Sequence, residues 1–360
     1  MSNMKLQKLL LAVLLVLIPV VRVTALTAPE PFWLGADVSW VTEMEKKGET
    51  WATVAGEPRD CFALMKDYGL NAVRLRVWVD PREHGNWCDV ADTCAKAKRA
   101  KAAGQEVMID FHYSDWWADP AHQTTPAAWR EHDLAQLGRD VAAHTESVLK
   151  SLKAAGVEPR WIQIGNETTN GFLWPLGRAT DHPAGYAQLF KAGYEAAKRV
   201  CPSACVMVHL DGGHNAGRTA WNLGLLAKGG AKWDAIGLSL YPWWCRKEIP
   251  DADKVVTDCM ANIRALGVRW QCPVVIAEVG FDCTPPAYAE GRRLLARVVR
   301  EARTQTEGVC RGVFYWEPEC RPSKYRLGAF DERGRPTPIM EGWREGVLGT
   351  GPAGSANCSN

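Results

Sequence analysis

The sequence predicts a (β/α)8 barrel forming a single catalytic domain. Eight short apolar runs recur along the chain, and amphipathic helical stretches lie between them. No GxGxxG fingerprint follows the first run, which disfavours the alternative, a doubly wound open sheet.

The runs cover residues 33–38, 72–79, 107–111, 161–164, 206–210, 235–240, 274–277 and 312–315. Each is short, and several are bounded by Gly or Pro, the pattern of a buried strand. Helical periodicity covers 90–103, 134–155, 185–200, 255–266 and 289–304. Gly69, Gly104, Gly156 and Gly267 fall just beyond helical stretches, where a left-handed glycine would end each helix. No linker or internal repeat interrupts this alternation.

Outside the barrel, the N-terminus reads as a targeting segment. Lys5 and Lys8 precede an apolar stretch from Leu9 to Val21, and Val23-Thr24-Ala25 offers small residues for cleavage. The stretch is shorter than the roughly 20 residues of a membrane-spanning helix. These features predict a signal peptide over 1–25 and a mature protein that is secreted or periplasmic after cleavage near Ala25. No lipobox cysteine follows, which disfavours a lipid anchor. The barrel domain is expected over 26–349, with a flexible tail rich in Gly, Ser and Pro over 350–360.

Composition restricts the partners. The 360 residues are 47% hydrophobic and 23% charged, enough for a large core. With 43 basic and 41 acidic side chains the net charge is +2, so no broad field attracts nucleic acid. A neutral substrate fits, with no membrane partner for the mature form and a monomeric state. Twelve cysteines in an exported chain predict disulfides, and Cys88/Cys94 and Cys201/Cys205 are near enough in sequence to pair locally. Paired CxxC spacing is absent, so a zinc site is disfavoured.

Catalytic groups of such barrels gather at the C-terminal ends of the strands, and here those ends are polar and aromatic. The fourth run delivers Asn166 and Glu167, and the seventh delivers Glu278. A carboxylate at the end of a buried strand is costly unless something needs it. Two that converge meet the demand of glycoside hydrolysis, one as acid/base and one as nucleophile or base. The bland alternative is two unrelated charges at a solvated rim. Tryptophan points toward sugar: the chain has 17 Trp against 8 Tyr and 8 Phe. Trp33, Trp51, Trp161 and Trp233 read as core. Trp116, Trp117, Trp174, Trp243, Trp244 and Trp316 fall in top-face loops, where indole faces suit the C–H faces of sugar rings. His112 and His209 lack a matching carboxylate spacing for a metal, and Ser239 lacks the G-x-S-x-G elbow. Asn166-Glu167-Thr168 matches a glycosylation sequon, but its position after a buried strand makes the match accidental.

Longer motifs carry a specific resemblance. GADVSWVTEMEKKG (35–48), NAVRLRVWVDP (71–81), IDFHYSDWWADPAHQTTPAAW (109–129), IQIGNETTNGFLWPLG (162–177), IGLSLYPWW (236–244), PVVIAEVGF (273–281) and GVFYWEP (312–318) run in order through nearly the whole barrel. They resemble the arabinogalactan endo-β-1,4-galactanases of glycoside hydrolase family 53, which are retaining (β/α)8 glycosidases. The resemblance implies Glu167 as acid/base, Glu278 as nucleophile, and β-1,4-galactan or type I arabinogalactan as substrate. It places Arg76, His112, Asn166, Tyr241 and Trp316 at the sugar subsite where cleavage occurs. In the mechanism expected here, Arg76 and Tyr241 hold Glu278 ionised and oriented. Asp37, Trp116 or Trp117, Asp119 and Trp174 match surrounding motif residues.

Three departures stand out. Glu278-Val279-Gly280 replaces the family's usual ETA or ETN, and Asp115-Trp116-Trp117-Ala118-Asp119-Pro120 adds an indole to DTWADP. The segment 281–286 lacks the acidic cluster that binds calcium in some bacterial members, so no metal and no cofactor are expected. A sister enzyme acting on mannan, xylan or β-glucan would use the same two glutamates, and an inactive barrel that only binds carbohydrate would keep the aromatic cleft.

Overall fold

In the computed structural model, residues 31–349 are described. The expected signal peptide and the 350–360 tail with Cys358 lie outside them. Among the described residues, no helix is long and apolar enough to cross a membrane.

Eight parallel strands close in sequence order into a barrel: β1 (Trp33–Asp37), β2 (Ala72–Val77), β3 (Glu106–Phe111), β4 (Trp161–Ile164), β5 (Cys205–Leu210), β6 (Ala235–Leu240), β7 (Val274–Val279) and β8 (Cys310–Trp316). Helices cover the outer face, which is why the strands read as continuous apolar runs instead of alternating ones. Outward residues such as Val73, Ile109, Ile162 and Ile276 belong to the large core shared with the helices.

The interior is filled differently at its two ends. At the bottom, Trp33, Met108, Trp161, Met207 and Phe314 pack together beside small residues from β2, β6 and β7. Trp33 and Trp161 meet edge to face at 5.0 Å. One inward step up, the side chains turn polar, with Arg74, Asp110, Gln163 and His209 all buried. A dry plug below and a polar ring above direct all chemistry to the C-terminal rim.

β7 breaks the two-residue alternation. Val275 and Ala277 face the interior cluster, whereas Val274, Ile276 and Val279 face the outer core. Strict alternation would therefore turn Glu278 outward. Instead the register slips: Ser239 pairs with Glu278, and the pairing with β8 shifts between Ile276 and Val279. Such a bulge re-aims a side chain, and here it directs two successive residues, Ala277 and Glu278, inward.

The helices follow expectation with differences at their ends. Gly69, Gly104 and Gly156 have φ of +88°, +73° and +79°, as helix-ending glycines should. Gly267 does not end its helix, which runs Ala252–Trp270 and stops at Gln271 with φ 52°. The helix Ala216–Lys228, capped by the Asn215 side chain on the Arg218 N–H, was not expected. Its two glycines and mid-segment polar residues blur the apolar stripe. Trp33, Trp51 and Trp161 are buried as foreseen, while Trp233 is half-buried against Trp270.

The cysteine expectation is corrected. All eleven described cysteines are thiols, including Cys88, Cys94, Cys201 and Cys205. Cys88 has a left-handed backbone with φ 57°, and its sulfur faces Ser39 O at 3.5 Å and Lys96 Nζ at 3.4 Å. Cys201 is buried just after the helix Pro183–Val200, and Cys205 opens β5.

Gly267 tests the packing. Alanine there would gain about 1 kcal/mol of helix propensity. Its Cβ would lie 2.4, 2.6 and 3.0 Å from three side-chain atoms of Val309. That overlap costs about 1–3 kcal/mol, and a β-branched neighbour cannot swing clear. Gly267→Ala is expected to lower the denaturation midpoint in urea; a raised midpoint would show that Val309 yields.

Candidate active site

The polar ring is organised by Arg74. Its guanidinium lies 2.8 Å from Asp37, 2.9 Å from Asp110 and 2.9 Å from Glu278, with all four groups buried. It also donates to Gln163 Oε1 at 3.1 Å and Asn166 Oδ1 at 2.7 Å. Burial opposes its charge, but Asp110, Glu278 and Asp37 outweigh that and keep it cationic. In the same ring, burial would push the Asp110 carboxyl up, yet Arg74 and His112 hold it below the usual carboxylate range.

Above this ring opens a cleft of about 1150 Å³ whose wall includes both Glu167 and Glu278. Trp40, Trp117, Trp316 and Tyr325 line one flank; His214, Arg218, Trp244 and Glu248 line another. Trp244 is 61% exposed, the kind of free indole face a ligand covers.

The two glutamates sit in opposed surroundings. Burial pushes both carboxyls up. At Glu278, Arg74 and a 2.9 Å hydrogen bond from the Tyr241 hydroxyl work against burial. At Glu167, the charges of Glu278 and Asp211 add to burial, only partly offset by Ser239 and Arg74. The proton shared by the pair therefore stays on Glu167, and Glu278 ionises first.

Local backbone places Glu167. Gly165 and Glu167 both have left-handed φ, +78° and 47°. For a glutamate that conformation costs about 1–2 kcal/mol. It is secured by Asn166, whose Nδ2 donates to Ala118 O at 2.8 Å and whose Oδ1 accepts from His209 Nδ1 at 3.0 Å. Burial, then Arg74, pushes the His209 imidazole well below its ordinary value, so it stays neutral. The Asn166 side chain is thus bonded and buried, consistent with its sequon being accidental.

His112 lines the cleft; its Nδ1 accepts the N–H of Ala118 at 3.1 Å, which leaves Nε2 to donate to Asp110 at 3.0 Å. Asn166, Tyr241, Trp117, Trp316 and Asp119 also reach the cleft wall. Asp37 is fully buried beneath it, bonded to Arg74 and Ser39. Trp116 stacks on His84 with ring centres 3.7 Å apart, lies tilted against Trp78 at 4.4 Å and edge-on to Trp117 at 5.9 Å, and is not part of the cleft lining. Trp174 donates to Asn170 O and carries the Arg178 guanidinium over its ring at 4.4 Å.

The expectation that Arg76 holds Glu278 is corrected: Arg76 pairs with Glu317, and Arg74 is the residue at Glu278. Both arginines lie on one face of β2, and no local signal separates their depths. Sequence reasoning also missed Gln123, which donates to Asn166 O at 2.8 Å, and the polar flank of His214, Arg218 and Glu248.

Comparisons agree with this geometry. The sequence profile of Glycosyl hydrolase family 53 matches residues 33–342. A protein of Thermothelomyces thermophilus named arabinogalactan endo-beta-1,4-galactanase is 34% identical, covering 79% of this chain and 88% of its own length. A probable arabinogalactan endo-beta-1,4-galactanase A of Aspergillus terreus is 33% identical, covering 79% and 84%. Among solved structures, one of two fungal beta-1,4-galactanases superimposes with a TM-score of 0.78 at 28% identity, covering 88% of this chain and 99% of that one. The GH53 catalytic domain of Ignisphaera aggregans gives the same score and identity, covering 88% and 97%. With a family profile matched across almost the entire barrel, the chain belongs to glycosyl hydrolase family 53.

Proposed function

We propose that this protein is an endo-β-1,4-galactanase that hydrolyses internal bonds of galactan or arabinogalactan with retention of configuration. The observation that carries this reading is the pair of glutamates in one open cleft, one held toward ionisation by Arg74 and Tyr241 and the other toward protonation by burial and by its neighbour's charge. Family membership and the names of the relatives supply the substrate class. Walls extending on more than one side of the pair suit a chain passing through instead of a terminal sugar held in a closed pocket.

In this mechanism Glu278 attacks the anomeric carbon while Glu167 protonates the departing glycosidic oxygen. Glu167, now a carboxylate, takes a proton from water, and the resulting nucleophile releases the sugar from Glu278. Arg74 stabilises the Glu278 carboxylate before attack, and Tyr241 orients it. The N-terminal basic and apolar segment supports export to the periplasm or the medium, with residues 26–349 as the catalytic unit.

The direct test is reducing-end release by the purified protein from linear β-1,4-galactan beside mannan, xylan and β-glucan. Selective release of short galacto-oligomers is expected. Cleavage of a different glycan would retain the mechanism and overturn the substrate, while binding without cleavage would leave a carbohydrate-binding barrel.

Removing the nucleophile in Glu278→Gly should reduce kcat by roughly 10⁴–10⁶-fold. Azide added with an activated galactoside should then restore turnover and yield the α-galactosyl azide; a β-azide would reject Glu278 as the attacking group. The pH profile follows from the two environments. Activity rises as Glu278 loses its proton and falls as Glu167 loses its own, and both limbs lie above the ordinary glutamate value of about 4.3. Tyr241→Phe removes a donor that favours the ionised Glu278, so the acidic limb should move to higher pH by roughly one unit. An unmoved limb would assign it to another group.

A further inference from the structure

Behind the aromatic flank of the cleft lies a cluster that the reaction does not use. Arg76 is fully buried, with its guanidinium 4.3 Å from the ring centre of Trp117, 5.0 Å from Trp78 and 5.2 Å from Trp40. Its Nη1 donates to Glu317 Oε1, and its Nε and Nη2 meet no acceptor. One carboxylate and three indoles therefore surround this cation.

Glu317 ties the flank together. It is fully buried and directly follows Trp316 on β8. Its Oε2 accepts the backbone N–H of Trp40 at 3.2 Å, and its own N–H donates to Asp37 O at 2.9 Å. Its backbone is left-handed with φ 46°, a conformation a glutamate keeps only where its surroundings enforce it.

Glu319, also fully buried, lies beside it, with side-chain donor atoms of Glu317, Glu319 and Cys320 all within 4.8 Å of one another. The trio is close enough to hold a cation, but Arg76 already supplies positive charge at Glu317. Two buried carboxylates against one guanidinium leave a single excess negative charge, and one proton shared between the carboxyls removes it. Burial, then the charge of Glu317, holds the Glu319 carboxyl well up, which puts that proton on Glu319.

We infer that Glu317 is a positioning residue for substrate binding: it anchors Arg76 and the Trp40 backbone, and through them fixes the faces of Trp40, Trp117 and Trp316 that receive the sugar chain. The inference rests on the polysaccharide hydrolase reading above. Glu317 touches neither reacting carboxyl, so its effect falls on binding and not on the chemical step.

The test is steady-state kinetics of the intact protein on galactan, with near-ultraviolet circular dichroism to establish folding and tryptophan emission to read the indoles without substrate. Glu317→Gln is expected to raise KM about tenfold while kcat stays within about threefold, the signature of lost uniform binding, and to make the emission more accessible to acrylamide. Arg76→Lys keeps the charge but loses the flat face that stacks on indole, so KM should rise there too. Glu319→Gln keeps a donor toward Glu317 and should raise KM less than Glu319→Ala. A folded Glu317→Gln with wild-type KM and emission, or with kcat lowered and KM unchanged, overturns the proposal. If Glu317→Gln does not fold, Arg76→Lys decides it: unchanged KM and emission overturn the proposal. Equal effects of Glu319→Gln and Glu319→Ala overturn the shared proton. A wild-type protein inert on galactan would refute the substrate reading alone; the kinetics then move to the glycan it cleaves, and the emission arm stands by itself.

Discussion

The buried guanidinium of Arg74 is the constraint on which the top of this barrel depends. Asp37, Asp110 and Glu278 arrive from three different strands, and each would be costly in a dry interior without a counter-charge. One cation satisfies all three and still donates to Gln163 and Asn166. Because Arg74 contacts residues from β1, β3, β4 and β7, it fixes the relative heights of those strands as well as their charge. Leaving it unpaired or removing it would unbalance the whole ring.

From that ring upward, the site works by difference. Glu167 and Glu278 are the same side chain in one cleft, and their hold on a proton diverges only because their neighbours do. Arg74 and Tyr241 attend one; Asp211 and the partner's own charge press on the other. The same logic recurs one layer out, where Glu317 faces Arg76 and Glu319 faces Glu317. In each pair burial pushes both carboxyls up, and the one beside an arginine is held lower than its neighbour.

Much of the fold was legible because its strands are buried on both faces: an apolar run bounded by Gly or Pro marks such a strand whatever surrounds it. The helix Ala216–Lys228 was not legible, since two glycines interrupt its stripe, and Gly267 misled because a glycine needed for close approach to Val309 looks like one that ends a helix. At the site, the glutamates, Asn166, Tyr241 and the cleft tryptophans could be found from strand ends and motifs. Arg74 and Arg76 could not be told apart. They are two residues apart on one face, separated by roughly 7 Å of height, and only the partners from other strands decide which meets Glu278. The thiol state of the cysteines depends on where each sulfur points, as at Cys88, and export composition does not contain that direction.

The bulge in β7 carries a consequence for how such a barrel changes over time or in design. An idealised barrel with regular alternation could accept every residue of this chain in order and still present Glu278 to the surrounding helices. The direction in which Glu278 points is thus set by strand register as much as by residue identity. Relaxing the bulge into regular pairing would turn Glu278 outward without changing a single residue, so a comparison that scores residue identities and ignores strand register would accept a barrel without that carboxyl in its cleft as an intact one.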